Sequence, residues 1–207
     1  MSSPDTPFEL LETLRWTPQS GFDLLERHVE RLQGSARYFG FACPLAEVLE
    51  MLARDVASSD RELKVRLLLS KDGGVRTEHV PLDLESRVLR LGLAKRPIDP
   101  ADPFLFHKTT NRTQQERERS PDYDEIILWN PSHEVTEAMT ANIVVERDGQ
   151  KVTPPIVCGL LGGTMRAELL ASGEISEARI SIDQLRHAPR FWLINSVRGW
   201  REARLST

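Results

Sequence analysis

Three prolines fall within the nine residues Lys95-Arg96-Pro97-Ile98-Asp99-Pro100-Ala101-Asp102-Pro103, and no apolar rhythm runs through them. Proline removes a backbone donor and fixes φ, so neither a helix interior nor a central strand can cross this stretch. In a chain of 207 residues, long enough to bury a sizeable core, the break divides the pattern of elements in two. We therefore expect a small α+β domain over 1–96, a linker over 97–103 and a larger domain over 104–207.

Ahead of the break, residues 8–16 (FELLETLRW) read as a strand closed by the turn signal Thr17-Pro18-Gln19-Ser20-Gly21. Over 22–39 the residues Leu25, Val29, Leu32, Ala36 and Phe39 recur at helical spacing and predict a core-facing stripe, with His28, Arg31 and Ser35 on another face. Pro44 suits the first turn of a second helix carried by Leu45, Val48, Leu52 and Val56. Residues 64–70 and 75–82 predict a hairpin across Lys71-Asp72-Gly73-Gly74, and 88–94 a further strand of the same half.

Past the break, Phe104-Leu105-Phe106-His107 alternates as a strand into Lys108, and the polar run that follows predicts a helix to about Arg119. Strands are expected over 125–129, 134–137 and 142–146, with a hairpin signal at Asp148-Gly149. A helix should start near Thr164, and a strand over 191–195 should turn at Arg198-Gly199 into a last one.

The 27 basic and 31 acidic side chains are mixed along the chain, for a net charge of −4, so no basic stripe is available to a nucleic-acid backbone. The start, Met1-Ser2-Ser3-Pro4-Asp5, lacks a signal-peptide pattern, and no apolar run approaches a membrane span. The expected location is cytoplasmic. Cys43 and Cys158 form no CxxC or Cys/His pair, which indicates neither a disulfide framework nor a zinc site and suits small core residues.

Chemistry-bearing residues recur at element ends. Lys108 sits between strand and helix signals, where a Schiff-base amine would be held, with His107 and Arg112 as nearby cations able to lower its pKa. Arg31 offers a planar fork for phosphate. Gly162-Gly163-Thr164 opens a helix, whose N–H groups and dipole favour an anion, and Asn195-Ser196 adds donors at a strand end. Glu137 is a carboxylate at a strand end. Taken singly, each also reads as a solvated residue, a plain turn or a helix cap. Together they meet the needs of pyridoxal 5′-phosphate: an amine for its aldehyde, donors for its phosphate and an acid for its ring nitrogen. No GxxxxGK[ST] or GxGxxG competes.

The ordered motifs FELLETLRW, ERHVERL, HKTTNR, VTEAMTANIV, GLLGGTMR and FWLINSVRGW resemble the fold-type IV pyridoxal-phosphate enzymes, from Phe8 nearly to the end. These include branched-chain and D-amino-acid aminotransferases and 4-amino-4-deoxychorismate lyase. KTTNR, TEAMTANIV and GTMR are most similar to the lyase, particularly to the lyase half of chains fused to aminodeoxychorismate synthase. The resemblance implies a two-domain D-amino-acid aminotransferase-like α+β fold with the active site in the interdomain cleft, and a homodimer.

By the same resemblance, Lys108 is the Schiff-base lysine and Glu137 the partner of the pyridine nitrogen. Arg31, Asn142, Gly163, Thr164, Asn195 and Ser196 bind the cofactor, the glycine and the last three as phosphate turns, and Thr13 helps proton transfer to the leaving group. The implied activity converts 4-amino-4-deoxychorismate to 4-aminobenzoate and pyruvate, a step towards folate, with an aminodeoxychorismate synthase subunit as a candidate partner. The alternatives are an aminotransferase for D- or branched-chain amino acids, with Arg15, Arg112 or Arg166 as the carboxylate cation, and a catalytically silent cofactor-binding domain. Two departures stand out: only seven residues precede Phe8, where relatives carry a further strand, and Thr113-Gln114-Gln115 stands where many carry an aromatic or aliphatic residue.

Overall fold

The structure, a computed structural model, describes residues 7–84 and 87–206. They form two compact units, one made of residues up to 84 together with 107–111, the other of the remainder.

In the first unit β1 (Leu10–Thr17) pairs antiparallel with β2 (Gly21–Phe22) and, from Leu10↔Leu69 to Trp16↔Leu63, with β3 (Leu63–Leu69), which carries β4 (Val75–Pro81) on its far side. The order is β2-β1-β3-β4. The two-residue period of a strand puts Leu10, Glu12, Leu14 and Trp16 on one face of β1. Leu10 and Leu14 pack there with Leu32 and Ala36 of α1 (Leu25–Phe39) and Val48 and Leu52 of α2 (Leu45–Val56). The first helix opens at Leu25, since Phe22 is already paired in β2. It closes at Gly40, whose φ of 68° lets its N–H reach Ala36 O. Leu32 and Ala36 are buried as the stripe predicts, but so are His28 and Ser35, which the spacing put elsewhere. Both have polar partners inside the unit, Glu12 for His28 and His107 for Ser35. Pro44 caps α2 from one residue outside it.

The second unit is built on an eight-stranded sheet. Its strands are β5 (Leu89–Leu93), β6 (Glu125–Trp129), β7 (Val135–Ala138), β8 (Asn142–Arg147), β9 (Gln150–Thr153), β10 (Ser176–Glu177), β11 (Phe191–Asn195) and β12 (Gly199–Leu205). Their order is β10-β9-β8-β11-β12-β5-β6-β7. Thus β5, expected with the first half, lies between β12 and β6 and is parallel to both. The proline-rich segment is hydrogen-bonded into this unit as well, with Ile98 buried and its N–H on Trp129 O at 2.8 Å. Asp148 and Gly149, with φ of 52° and 75°, make the tight turn between β8 and β9.

The lysine stretch departs from its expected strand-to-helix form. Pro103–Leu105 is a 3-10 turn, opened by Pro103 and capped by Asp102, which accepts from Phe104 N at 2.9 Å. The helix after it, α3 (Thr113–Glu116), ends well short of Arg119. Residues 113–120 contain no apolar side chain, so a longer helix would have no face to bury. The remaining helices are α4 (Thr164–Ala171) and α5 (Ile182–Arg186), the second held by a Ser181/Gln184 capping box. Among the described residues no helix is long and apolar enough to cross a membrane.

Candidate active site

In the first unit, residues 108–110 lie along the start of β1. Lys108 O accepts from Leu11 N at 2.9 Å, Thr110 N donates to Glu9 O at 2.9 Å, and Leu10 and Thr109 form an antiparallel bridge. Lys108 therefore stands opposite Leu11 and shares the parity of Thr13, while Thr109 shares that of Leu10 and is buried. Diagonal neighbours of this kind lie roughly 7–8 Å apart, within reach of a lysine stem. Lys108 and Thr13, both half-buried, are so brought to one face.

The residue before the lysine anchors it to α1. The His107 ring stacks on Tyr38 at 4.4 Å, meets Phe39 edge-on at 4.9 Å, and its Nδ1 lies 3.0 Å from Ser35 Oγ. Burial pushes the His107 pKa down, towards a neutral ring. His107 is thus a clamp on the lysine segment rather than the cation that the sequence suggested. Arg112, the other expected cation, belongs to the second unit and donates to Met139 O.

Arg31, on α1, is paired with Glu12 of β1. Its Nε donates to Glu12 Oε1 at 2.9 Å and its Nη2 to Oε2 at 2.5 Å, while His28 Nδ1 lies 2.6 Å from Oε2. Burial alone would raise the Glu12 pKa, but Arg31 and then His28 outweigh it and bring it to about 2. Glu12 was missed in the sequence, although its place on the apolar parity of β1 signals a buried carboxylate in need of partners.

In the second unit, Glu137 on β7 is 6% exposed. Its Oε2 accepts from Leu161 N at 3.2 Å and from Asn142 Nδ2 at 3.4 Å, and the same Asn142 amide donates to Leu161 O at 2.8 Å. Asn142, first residue of β8, ties the carboxylate to the loop before α4. Gly163 caps that helix, and a Cβ there would lie 2.0 Å from Asn142 Oδ1, so only glycine fits against this amide. Thr164 is buried as the first helical residue. The register Ile194↔Asn142 sets the end of β11 beside the start of β8. There Asn195 Oδ1 accepts from Val197 N and Arg198 N, and its Nδ2 donates to Thr140 O at 3.3 Å, with Ser196 in the same turn. Glu137, Asn142, Gly163, Thr164, Asn195 and Ser196 are therefore gathered in one unit, and Lys108, Thr13 and Arg31 in the other.

The three arginines considered for a substrate carboxylate all meet protein acceptors. Arg15 donates to Glu62 at 2.7 Å, Arg112 holds the Met139 carbonyl, and buried Arg166 donates to Pro154 O and Glu177. Cys158 is buried and Cys43 half-buried, both as free thiols.

The family model for amino-transferase class IV matches residues 9–205. The chain belongs to the class IV amino-transferase family. A Schizosaccharomyces pombe protein named "Putative aminodeoxychorismate lyase" is 33% identical over 84% of this chain and 80% of its own. A solved Mesorhizobium loti structure, a "Putative amino-acid aminotransferase", is 35% identical with a TM-score of 0.91 over 96% of this chain and all of that one. The pyridoxal-phosphate-bound form of a hypothetical aminotransferase from Mycobacterium tuberculosis shares the fold at 20% identity, with a TM-score of 0.79 over 96% of this chain and 81% of that one.

Class IV membership implies pyridoxal phosphate, and the donor set suits it. The described residues provide a half-buried lysine on a fixed backbone, an arginine held by one edge, and a buried carboxylate that accepts from two N–H groups. Amine, phosphate cation and ring-nitrogen acid are the three parts this cofactor requires.

Proposed function

We propose that this chain is a pyridoxal-phosphate lyase that converts 4-amino-4-deoxychorismate to 4-aminobenzoate and pyruvate, towards folate, as a cytoplasmic homodimer. The observation that carries the cofactor reading is the buried Glu137 carboxylate: with Leu161 N and the Asn142 amide on one oxygen, it is fixed in place, and we read it as the partner of the cofactor's ring nitrogen. The substrate reading rests on the KTTNR, TEAMTANIV and GTMR segments and on the similarity to the fission-yeast protein named "Putative aminodeoxychorismate lyase".

Pyridoxal phosphate, when bound, supplies an electron sink for the carbon that bears the substrate amine. Lys108 holds the cofactor through its amine and, once displaced, takes the proton from that carbon. Thr13, on the same face as Lys108, passes a proton to the departing enolpyruvyl oxygen. Arg31 with the Gly163-Thr164 and Asn195-Ser196 turns binds the phosphate. An aminodeoxychorismate synthase subunit is the partner that would deliver the substrate.

The purified protein should be coloured, and borohydride should fix the cofactor on Lys108. Given 4-amino-4-deoxychorismate, it should release 4-aminobenzoate, read by its fluorescence, and Lys108→Ala should not. Brisk amino transfer from a D- or branched-chain amino acid to a keto acid without 4-aminobenzoate release would refute the lyase assignment. It would favour the second reading, an aminotransferase, which the similarity to the Mesorhizobium loti structure supports.

A further inference from the structure

The Glu12–His28–Arg31 cluster is a buried ion pair with a third partner, costlier to desolvate than a surface pair. Glu12 and His28 side chains are each 2% exposed, and Arg31 is 14% exposed. Glu12 and His28 line, together with Leu14, Leu25, Leu32 and Leu52, a cavity of about 10 Å³, room for a single water at most. A carboxylate placed there depends on Arg31 and His28 for its charge and its lone pairs.

The geometry of the fork is specific. Glu12 takes the Nε and Nη2 protons, which lie along one edge of the guanidinium, and His28 pins the oxygen that receives Nη2. With that oxygen ionised, His28 Nδ1 must be the donor of their bond. A planar guanidinium held along one edge has its other edge fixed in direction, and an arginine fixed before its ligand arrives loses less freedom on binding it.

We propose that Glu12 and His28 are positioning residues that present the outer edge of Arg31 to the cofactor phosphate, so that selection of the phosphorylated cofactor depends on them as well as on the arginine. This rests on the reading of Arg31 as a phosphate ligand. The role belongs to geometry, not to charge alone: Glu12 itself is an anion and would, by charge, weaken phosphate binding.

The test compares pyridoxal phosphate with pyridoxal, which lacks the phosphate. Apoprotein is titrated with each, the absorbance of the lysine-bound chromophore is followed, and the ratio of the two dissociation constants is taken for each variant. The parent should favour the phosphate form, and Arg31→Ala should abolish the preference. Glu12→Gln and Glu12→Asp should both cut the ratio about tenfold or more with pyridoxal binding unchanged, the second because it keeps the charge but draws the carboxylate back by one methylene. His28→Ala should cut it severalfold. His28→Asn, whose amide N–H can stand near Nδ1, should restore it.

A folded Glu12→Asp or Glu12→Gln protein with the parental ratio would overturn the proposal. If neither folds, a parental ratio in His28→Ala would do so. A parent that binds no pyridoxal phosphate, or an Arg31→Ala variant with an unchanged ratio, would instead refute the underlying assignment of Arg31.

Discussion

Replacing Gly163 by alanine separates a steric account of the second unit from a conformational one. The backbone of Gly163, at φ −66° and ψ 143°, suits any residue, so alanine would ordinarily stabilise by about 0.4–1 kcal/mol through the unfolded chain. Here the new Cβ falls 2.0 Å from Asn142 Oδ1 and 3.3 Å from its Cγ. The amide has to swing away by more than about 1 Å, giving up its 2.8 Å bond to Leu161 O and its contact with the Glu137 carboxylate. A part-buried carbonyl left without this donor costs about 1–3 kcal/mol, and the loosened charge contact adds to it. The expected net loss is about 2–3 kcal/mol, a fall in Tm of roughly 4–12 °C for a chain of this size. Urea unfolding of the parent, Gly163→Ala, Asn142→Ala and the double variant measures it. With Asn142 truncated the clash disappears, so Gly163→Ala should then be neutral or stabilising, a coupling of about 2 kcal/mol or more. Equal effects of Gly163→Ala in both backgrounds would refute the reasoning.

Three further outcomes follow from the titrating groups. The folded pKa of Glu12 lies below its usual 4.5, at about 2, so its contribution is fully present above pH 4.5 and lost as pH falls towards 2; acid unfolding curves of Glu12→Gln should be flatter there by about 3 kcal/mol. His107 is depressed by burial, so its neutral-state contribution is complete above about pH 6.5 and fades as pH drops below that. His107→Ala should remove this dependence and expose residues 107–111 to faster amide exchange, through loss of the Tyr38 and Phe39 contacts. Burial first, and the Glu134 contact second, push the Cys158 thiol up to about 11, so iodoacetamide at pH 8 should modify half-buried Cys43 well before Cys158 in the native protein, as peptide mapping would show.

Local pattern carried most of the secondary structure. The helical stripe through Leu32 and Ala36, the Asp148-Gly149 turn and the helix at Thr164 depend on neighbours a few residues away, and each stands as its period or turn chemistry dictates. The stretch before Lys108 misled because four alternating residues fit a strand, whereas Pro103 and the Asp102 cap favoured a 3-10 turn. The candidate residues Lys108 and Glu137 were legible as parts of KTTNR and TEAMTANIV. Glu12 was not, because an acidic residue on a strand shows its role only when the helix carrying His28 and Arg31 is laid across it.

By itself, then, the order of residues determined most of the elements outside the lysine stretch and the family to which the chain belongs. Tertiary structure alone decided that β5 leaves the first half for a place between β12 and β6, since parallel pairing joins segments far apart in sequence and leaves no mark on the local period. It likewise decided that Asn142 locks Glu137 to the loop before α4, and that Glu12 grips Arg31. Both are contacts between elements, whose free energy depends on burial and distance, quantities that arise only once the chain has packed.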